Sequence, residues 1–204
     1  MKILLILLAY LLGSIPWSVW IGKIFYNTDI RNYGSGNAGA TNTMRVLGAK
    51  VGFAVLLLDA LKGFAAVKLV ALVPAYEDLT GFAIVLGIVS VVGHIFPVFA
   101  QFRGGKGIAT LLGMIIAIHP EAALFAIFTF TLAFLLFRIV SLSSILAAFS
   151  FPVWLIFRFH ETSNSLIIFS FSVVLLVLIT HQKNIERMLN GDEKKIRLRR
   201  SDRD

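Results

Sequence analysis

No Lys, Arg, Asp or Glu residue interrupts the stretch LTGFAIVLGIVSVVGHIFPVF, which runs from Leu79 to Phe99. A helix of about 20 apolar residues crosses the hydrocarbon core of a bilayer. Such a helix satisfies its own backbone N–H and C=O groups, which lipid cannot do. The stretch is therefore predicted to be a transmembrane helix.

The rest of the chain has the same character. Apolar residues make up 58% of the 204 residues and charged residues 15%, against roughly 45–50% and 25% in soluble domains. Six further apolar runs give about seven spans, with five or six as alternatives: Ile3–Tyr26, Val51–Pro74, Ile108–His119, Glu121–Arg138, Leu142–Phe159 and Ser165–His181. The run at Ile108–His119 is short, and it either crosses partway or shares a broken span with the next run through Pro120.

These runs predict an all-α, polytopic membrane bundle. We expect one domain over residues 1–195 and a basic cytoplasmic tail over residues 196–204. The oligomeric state is not indicated by the sequence.

The basic residues predict the orientation. With seven spans, most of them fall on one side of the membrane: Lys23, Arg31, Arg45, Lys50, Arg103, Lys106, Arg138, Lys183 and the tail from Arg187 to Arg203. The other side receives Lys2, Arg158 and the acidic residues Glu77, Asp78, Glu121 and Glu161. Because cytoplasmic loops are enriched in Lys and Arg, we expect the N-terminus outside and the C-terminus in the cytoplasm.

Charge and cysteine content exclude several classes. The net charge is +8, but much of it is scattered through short loops, so we expect no nucleic-acid partner. The absence of cysteine excludes a Cys-ligated zinc site and a thiol nucleophile. We expect no metal and no cofactor. Inside the second apolar run, Asp59 and Lys62 are three residues apart and are predicted to pair on one helix face.

A first polar cluster follows the first run and reads YGSGNAGATNTMR, from Tyr33 to Arg45. Small residues let a backbone approach a ligand closely, and successive free N–H groups make an anion nest. A short helix is predicted to open near Thr41, with Arg45 about one turn further on to bind phosphate oxygens. The candidate ligand-binding residues are Ser35, Gly36, Asn37, Gly39, Ala40, Thr41, Asn42 and Arg45. A plain inter-span turn is the alternative.

This cluster also matches a dinucleotide-binding pattern at Gly34, Gly36 and Gly39. The βαβ unit that this pattern requires is missing, so we keep only phosphate binding.

A second cluster reads GHIFPVFAQFRGGKGIAT, from Gly93 to Thr110. Its glycines precede an apolar helix, which again predicts an anion site at a helix N-terminus. It is not a Walker loop, because Gly107 follows Lys106 where Ser or Thr is needed. The candidates are Gly104, Gly105, Lys106 and Gly107. His94 is interpreted as a hydrogen-bonded core histidine rather than a catalytic one.

A third cluster, HQKNIERMLNGDEKK, begins at His181. His181 and Asn184 are three apart and share a helix face, which suits them to orient or deprotonate a hydroxyl. Beyond Asn190 we expect a solvated basic tail that touches anionic lipid. Ser143, in the group Ser141–Ser144, is a weaker candidate for substrate binding, since a helix N-cap is its default interpretation.

These three motifs, in this order and on one predicted side, resemble those of the bacterial acyl-phosphate:glycerol-3-phosphate acyltransferases, the PlsY family. The resemblance covers the chain from Met1 to about Lys195. It implies transfer of a fatty acyl group from acyl phosphate to the 1-position of sn-glycerol 3-phosphate, giving lysophosphatidic acid and phosphate, at the bacterial inner membrane with the active site facing the cytoplasm. It implies no metal.

The resemblance also implies roles by matched position. The motif around Ser35 and Arg45 is similar to the acyl-phosphate cradle, and Lys106 with its glycines to the glycerol 3-phosphate site. His181 and Asn184 match an essential pair, so we take Ser35, Arg45, His181 and Asn184 as the catalytic candidates. Direct acyl transfer is preferred over an acyl-enzyme on Ser35, with His181 or the acceptor's own phosphate as base. The competing classes are a transporter of phosphorylated metabolites and a non-catalytic membrane anchor.

Overall fold

The computed structural model describes residues 1–74 and 79–196. Glu77, Asp78 and the predicted tail from residue 197 onward lie outside the described residues. The described residues form ten α-helices and no strand: α1 (Lys2–Gly13), α2 (Trp17–Tyr26), α3 (Ala40–Leu47), α4 (Ala49–Lys68), α5 (Thr80–Ile95), α6 (Ile108–Ile118), α7 (Pro120–Phe137), α8 (Val140–Val153), α9 (Asn164–Thr180) and α10 (Gln182–Leu189). The predicted all-α class is confirmed.

The chain divides into two compact units, Met1–Glu121 and Ala122–Asp204. The first contains α1 to α6, and the second contains most of α7 together with α8 to α10. The assignment of residues 1–195 to one domain stays a prediction.

Three stretches in the described part of the chain are helical, long and apolar enough to cross a membrane: Thr80–Ala100, Pro120–Phe137 and Val140–Arg158. Two bent helix pairs, α1 with α2 at 43° and α9 with α10 at 64°, raise the count to five if each pair is one span. The predicted seven would also need α4, which carries buried charges, and α6, which has only 11 residues. An integral membrane fold is thus supported, and the number seven stays a prediction.

The short sixth helix ends where the sequence indicated a break. α6 stops at Ile118 and α7 starts at Pro120. Proline at the first helical position costs no hydrogen bond, because that N–H has no intrahelical partner in any case.

Close packing of α4 on α6 depends on two glycines. A Cβ atom on Gly63 would strike the carbonyl oxygen of Thr110, and one on Gly113 would strike that of Ala60. Each helix thus lays a glycine on the backbone of the other. Membrane helices gain no hydrophobic energy by leaving lipid, so such backbone approach supplies the packing contacts. α1 and α5 meet in the same way at Gly13 and Gly93.

The break between α1 and α2 is stabilised from α4. Pro16 precedes α2, and the nearby carbonyl of Ile15 accepts a hydrogen bond from Lys62 Nζ at 2.8 Å. Lys62 Nζ also lies 2.9 Å from Asp59 Oδ1, and both side chains are almost fully buried. The predicted Asp59–Lys62 pair is therefore confirmed, and Lys62 adds a second donor to the Ile15 carbonyl, which also accepts from the Trp17 N–H at 3.2 Å.

In the second unit, α8 packs on α9, and α10 follows α9 after the bend at His181. α8 continues as one π-helical turn over Trp154–Arg158. The Phe125 ring of α7 lies 4.6 Å, centroid to centroid, from the Trp154 ring in that turn. This ring contact joins α7 to the end of α8.

We expect Gly113→Ala to lower the melting temperature of the detergent-solubilised protein. The free energy of unfolding should fall by about 1–3 kcal/mol, as it does when a well-packed core is overfilled. Alanine favours helix formation over glycine by about 1 kcal/mol, so a loss would report the clash with Ala60. The matched control is Gly81→Ala in α5, where a Cβ meets nothing within 4 Å, and it should be neutral or stabilising. Equal melting temperatures for the two variants would contradict the backbone contact.

Candidate functional site

The loop between α2 and α3, called the first loop below, begins with an ion pair that the sequence analysis missed. Asp29 follows α2 and accepts hydrogen bonds from Arg31 Nε at 3.0 Å and Nη2 at 2.7 Å, while Lys23 Nζ lies 3.3 Å away. The hydrogen bond from Arg31 holds the pKa of Asp29 well below its usual range, although partial burial raises it. The sequence signal that could have predicted this pair is the presence of two opposite charges, Asp29 and Arg31, two residues apart in a turn.

Asn42 organises the loop from inside. Its Oδ1 accepts from the Ser35 N–H at 2.8 Å, and its Nδ2 donates to the carbonyls of Ile30 at 2.9 Å and Tyr33 at 3.1 Å. The side chain is only 2% exposed. The prediction that Asn42 binds substrate stays untested, and its contacts give it a role in shaping the loop.

The predicted nest of successive free N–H groups does not form at the first glycines. Gly34 and Gly36 have φ values of +66° and +73°, as the glycine pattern indicated. However, the Ser35 N–H is bound to Asn42, and the Gly36 N–H donates to the carbonyl of Tyr33 at 3.0 Å. For these two amides the nest prediction is wrong, because they close the turn instead.

The remaining donors lie at the start of α3. Gly39 is its N-cap and α3 starts at Ala40, one residue before the predicted Thr41. The first N–H groups of a helix have no intrahelical partner and attract anions. Around this end, Asn37, Gly39, Ala40 and Thr41 are half-buried, while the Ser35 and Arg45 side chains are exposed.

The loop between α5 and α6, called the second loop below, folds back onto the end of α5. The Gly104 N–H donates to the carbonyl of Ile95 and the Gly105 N–H to that of His94, both at 3.2 Å. Gly107, at φ +80°, is the N-cap of α6. The half-buried Lys106 therefore lies between a glycine turn and a helix N-terminus, as predicted.

The two loops are in contact. Arg31 Nη1 donates to the carbonyl of Ala100 at 2.9 Å. A Cβ atom on Gly105 would lie 2.9 Å from the carbonyl oxygen of Ala38. The first and second clusters of the sequence are thus brought together within the first unit.

His181 and Asn184 belong to the second unit. His181 is 2% exposed, and its Nδ1 lies 2.9 Å from the carbonyl oxygen of Val177. A carbonyl can only accept, so Nδ1 carries the proton of the neutral ring and Nε2 is its basic nitrogen.

Asn184 is held by a residue that the sequence analysis placed in a solvated tail. Its Nδ2 donates to Glu193 Oε1 at 2.6 Å. The same carboxylate accepts from Ser141 Oγ and from Arg187 Nε, both at 2.7 Å. The Glu193 side chain is 7% exposed, so the prediction of a solvated tail from Gly191 is wrong at this residue.

The Ser141–Ser144 group gives a mixed result. Ser143 is fully buried and its hydroxyl donates to the carbonyl of Ile139 at 2.8 Å, one turn back in the chain. Its predicted contact with substrate stays untested. Ser141 instead binds Glu193, which joins the start of α8 to the end of α10.

Burial raises the pKa of the Glu193 carboxyl, but the hydrogen bonds from Arg187, Ser141 and Asn184 outweigh it and leave the pKa below its usual range. Glu193 is therefore ionised at neutral pH, and its charge is balanced by these donors.

The fold and loops define an all-helical integral membrane protein with two glycine-rich loops joined at the ends of its helices. The chain belongs to the glycerol-3-phosphate acyltransferase family, whose model, described as "Glycerol-3-phosphate acyltransferase", matches residues 3–191. The resemblance drawn from the three motifs is confirmed, and the comparisons give the transporter alternative no support.

Its relatives match along nearly the whole chain. "Glycerol-3-phosphate acyltransferase 2" of Bacillus anthracis is 43% identical, covering 96% of this chain and 100% of the relative. "Glycerol-3-phosphate acyltransferase" of Listeria monocytogenes serotype 4a (strain HCC23) is 44% identical, with 96% of each covered. A solved structure of PlsY (YgiH), an integral membrane glycerol 3-phosphate acyltransferase, in its glycerol 3-phosphate form, is 38% identical with a TM-score of 0.87 and 96% of each chain covered. The structure of its lysophosphatidic acid form is 36% identical with a TM-score of 0.84, covering 96% of this chain and 95% of that chain.

We expect Glu193→Gln to lower the melting temperature at pH 7, because the amide cannot accept from all three donors. The wild-type advantage should be full above the ordinary glutamate pKa of about 4.3 and should be lost as the pH falls through the lower folded pKa. The measurement is the melting temperature of both proteins against pH. The control is Glu186→Gln on α10, which removes the same charge from an exposed side chain. A Glu193→Gln deficit that is constant with pH would contradict an ionised carboxylate.

Proposed function

We propose that the protein transfers a fatty acyl group from acyl phosphate to the 1-position of sn-glycerol 3-phosphate, releasing lysophosphatidic acid and inorganic phosphate. Family membership supports the acceptor, since a solved relative is described in a glycerol 3-phosphate form and in a lysophosphatidic acid form. The donor rests on the chemistry of the loops.

The observation that carries this proposal is the contact between the two glycine loops. Acyl transfer requires the acceptor hydroxyl and the donor carbonyl to lie about 3 Å apart. If both substrates carry phosphate, two anion-binding loops must stand side by side. The Arg31–Ala100 hydrogen bond and the approach of Gly105 to Ala38 give this arrangement.

An acyl phosphate suits these residues because it is a mixed anhydride with a good leaving group. The acceptor hydroxyl forms the new C–O bond, the bond from the acyl carbon to the phosphate oxygen breaks, and the hydroxyl proton passes to a base. Little activation is needed beyond positioning and stabilising the oxyanion. In our proposal, Ser35, Arg45 and the first turn of α3 hold the donor, and Lys106 with its glycines holds the phosphate of the acceptor.

Two groups are candidates for the base. One is Nε2 of His181, which is the basic nitrogen of the ring as long as Nδ1 donates to Val177. The other is the acceptor's own phosphate. In this proposal Asn184 provides an amide group next to His181, and Glu193 holds that amide in place by accepting its hydrogen bond.

We also propose that the chain crosses the bacterial inner membrane seven times, with α4 and α6 as the additional spans. The N-terminus would lie outside and both glycine loops in the cytoplasm. The asymmetry of Lys and Arg along the sequence supports this orientation.

The test of function is phosphate release by the purified protein in detergent, with palmitoyl phosphate and sn-glycerol 3-phosphate. We expect release that depends on the acceptor and is matched by lysophosphatidic acid. Arg45→Ala and Lys106→Ala should reduce kcat/KM by about 10²-fold or more, in the range seen when one donor to a reacting centre is lost. Lys50→Ala, which removes an exposed charge at the start of α4, is the control and should keep activity.

Activity with palmitoyl-CoA and none with palmitoyl phosphate would change the proposal by reassigning the donor. An active Ser35→Ala variant would exclude an acyl-enzyme and support direct transfer.

The orientation can be measured directly because the chain contains no cysteine. We expect a membrane-impermeant maleimide to label Thr162→Cys, between α8 and α9, in intact spheroplasts. Ala49→Cys, at the start of α4, should be labelled only in inside-out vesicles. Both positions are exposed. Labelling of both from the same side would contradict the seven-span topology.

A further inference from the structure

A buried histidine lies directly beneath the second glycine loop. His94 is 6% exposed, and its Nδ1 is 3.5 Å from Asp59 Oδ1 in α4. Its other nitrogen, Nε2, is the first atom that a Cβ on Gly105 would strike. One imidazole ring thus spans the space between a charged residue of α4 and the backbone of the loop.

The loop also depends on the backbone around this histidine. The Gly105 N–H donates to the carbonyl of His94, and the Gly104 N–H to that of Ile95. The end of α5 therefore holds the loop by two hydrogen bonds, and the ring of His94 fills the space below Gly105. Any change in the position of the ring acts on the residue that precedes Lys106.

The carboxylate that faces His94 is itself fixed. Asp59 is paired with Lys62 at 2.9 Å, and Lys62 donates to the carbonyl of Ile15. A series of neighbouring polar groups thus runs from the break between α1 and α2, through α4, to His94, whose ring lies against Gly105. In a low-dielectric interior, such neighbouring groups have strongly preferred orientations.

The chemistry proposed above makes no use of this series. Keeping an imidazole and a carboxylate among membrane helices is costly compared with apolar residues of the same volume. That cost makes a simple space-filling role a poor account of His94.

We propose that His94 is a positioning residue for the second loop: packed between Asp59 and Gly105, its ring sets the place of Gly104 and Gly105 and so aligns Lys106 with the phosphate of the acceptor. This rests on the proposed function, since it takes the acceptor to be glycerol 3-phosphate.

The first test is the substitution His94→Phe, which keeps a ring and removes both nitrogens. We expect the Kd for sn-glycerol 3-phosphate, measured by calorimetry without donor, and its KM to rise about tenfold, equivalent to about 1.4 kcal/mol. The KM for palmitoyl phosphate should stay within about twofold, because the first loop is held by its own contacts. His94→Gln, which retains a polar group, should show a smaller rise.

The control for general destabilisation is Val55→Ala. Val55 is fully buried on α4, one turn before Asp59. This variant should lower the melting temperature and leave both KM values unchanged. A purely structural His94 would behave in the same way.

A double-mutant cycle tests the contact itself. Gly105→Ala places its Cβ against His94 Nε2, so it should weaken glycerol 3-phosphate binding in the wild-type background. In a His94→Ala background that clash is removed, and the added penalty should be clearly smaller. Additive penalties would overturn the proposed coupling.

The outcomes separate the two proposals. If the wild-type protein binds glycerol 3-phosphate but does not turn over palmitoyl phosphate, the donor assignment fails while a raised Kd in His94→Phe still supports the positioning role. If the wild-type protein turns over both substrates and His94→Phe keeps the wild-type Kd and KM values, only the positioning role fails. Absence of glycerol 3-phosphate binding by the folded wild-type protein would overturn both.

Discussion

The first unit depends on one ion pair inside α4. Lys62 donates a hydrogen bond to the Ile15 carbonyl at the break between α1 and α2, and Asp59 neutralises the lysine. A buried pair of this kind contributes little net stability, because desolvation offsets much of the attraction, but removing one partner is strongly destabilising. Its value here lies in geometry. It lies against the break between α1 and α2, and it gives His94 a charged neighbour near the end of α5, where the second loop begins.

Around this pair, glycine has two different uses. At Gly63 and Gly113 the missing side chain lets α4 and α6 touch through their backbones. At Gly34, Gly36 and Gly107 the positive φ values let the chain turn sharply between helices. The helix contacts bring the loop ends to one place, and the turns then present helix N-termini there. Close packing between helices and sharp turns at their ends are thus two results of the same residue type.

The sequence predicted the parts of this structure that depend on periodicity and local spacing. Helical class, the break at Pro120 and the Asp59–Lys62 pair all follow from run length or from an interval of three residues. It did not predict the contacts that Glu193, Asn42 and Arg31 make with partners 6 to 69 residues away. In the sequence Glu193 is one more charge in a basic tail, and only the folded chain brings it to its three donors Ser141, Asn184 and Arg187. The roles of the site residues remain predictions, because the arrangement shows where they lie and not what they bind.

The length of α6 has a consequence for the surrounding lipid. Its 11 residues extend roughly 16 Å at about 1.5 Å per residue, whereas the hydrocarbon core is about 30 Å thick. As one of the proposed spans, α6 would require the bilayer to thin where the helix meets lipid, at a cost of fractions of a kcal/mol for each ångström of hydrophobic mismatch. The thickness of a bilayer is set by the acyl chains of its phospholipids. On the proposed topology, a member of a family that acylates glycerol 3-phosphate would carry, two residues after Lys106, a segment whose energy depends on the kind of membrane that such acylation builds.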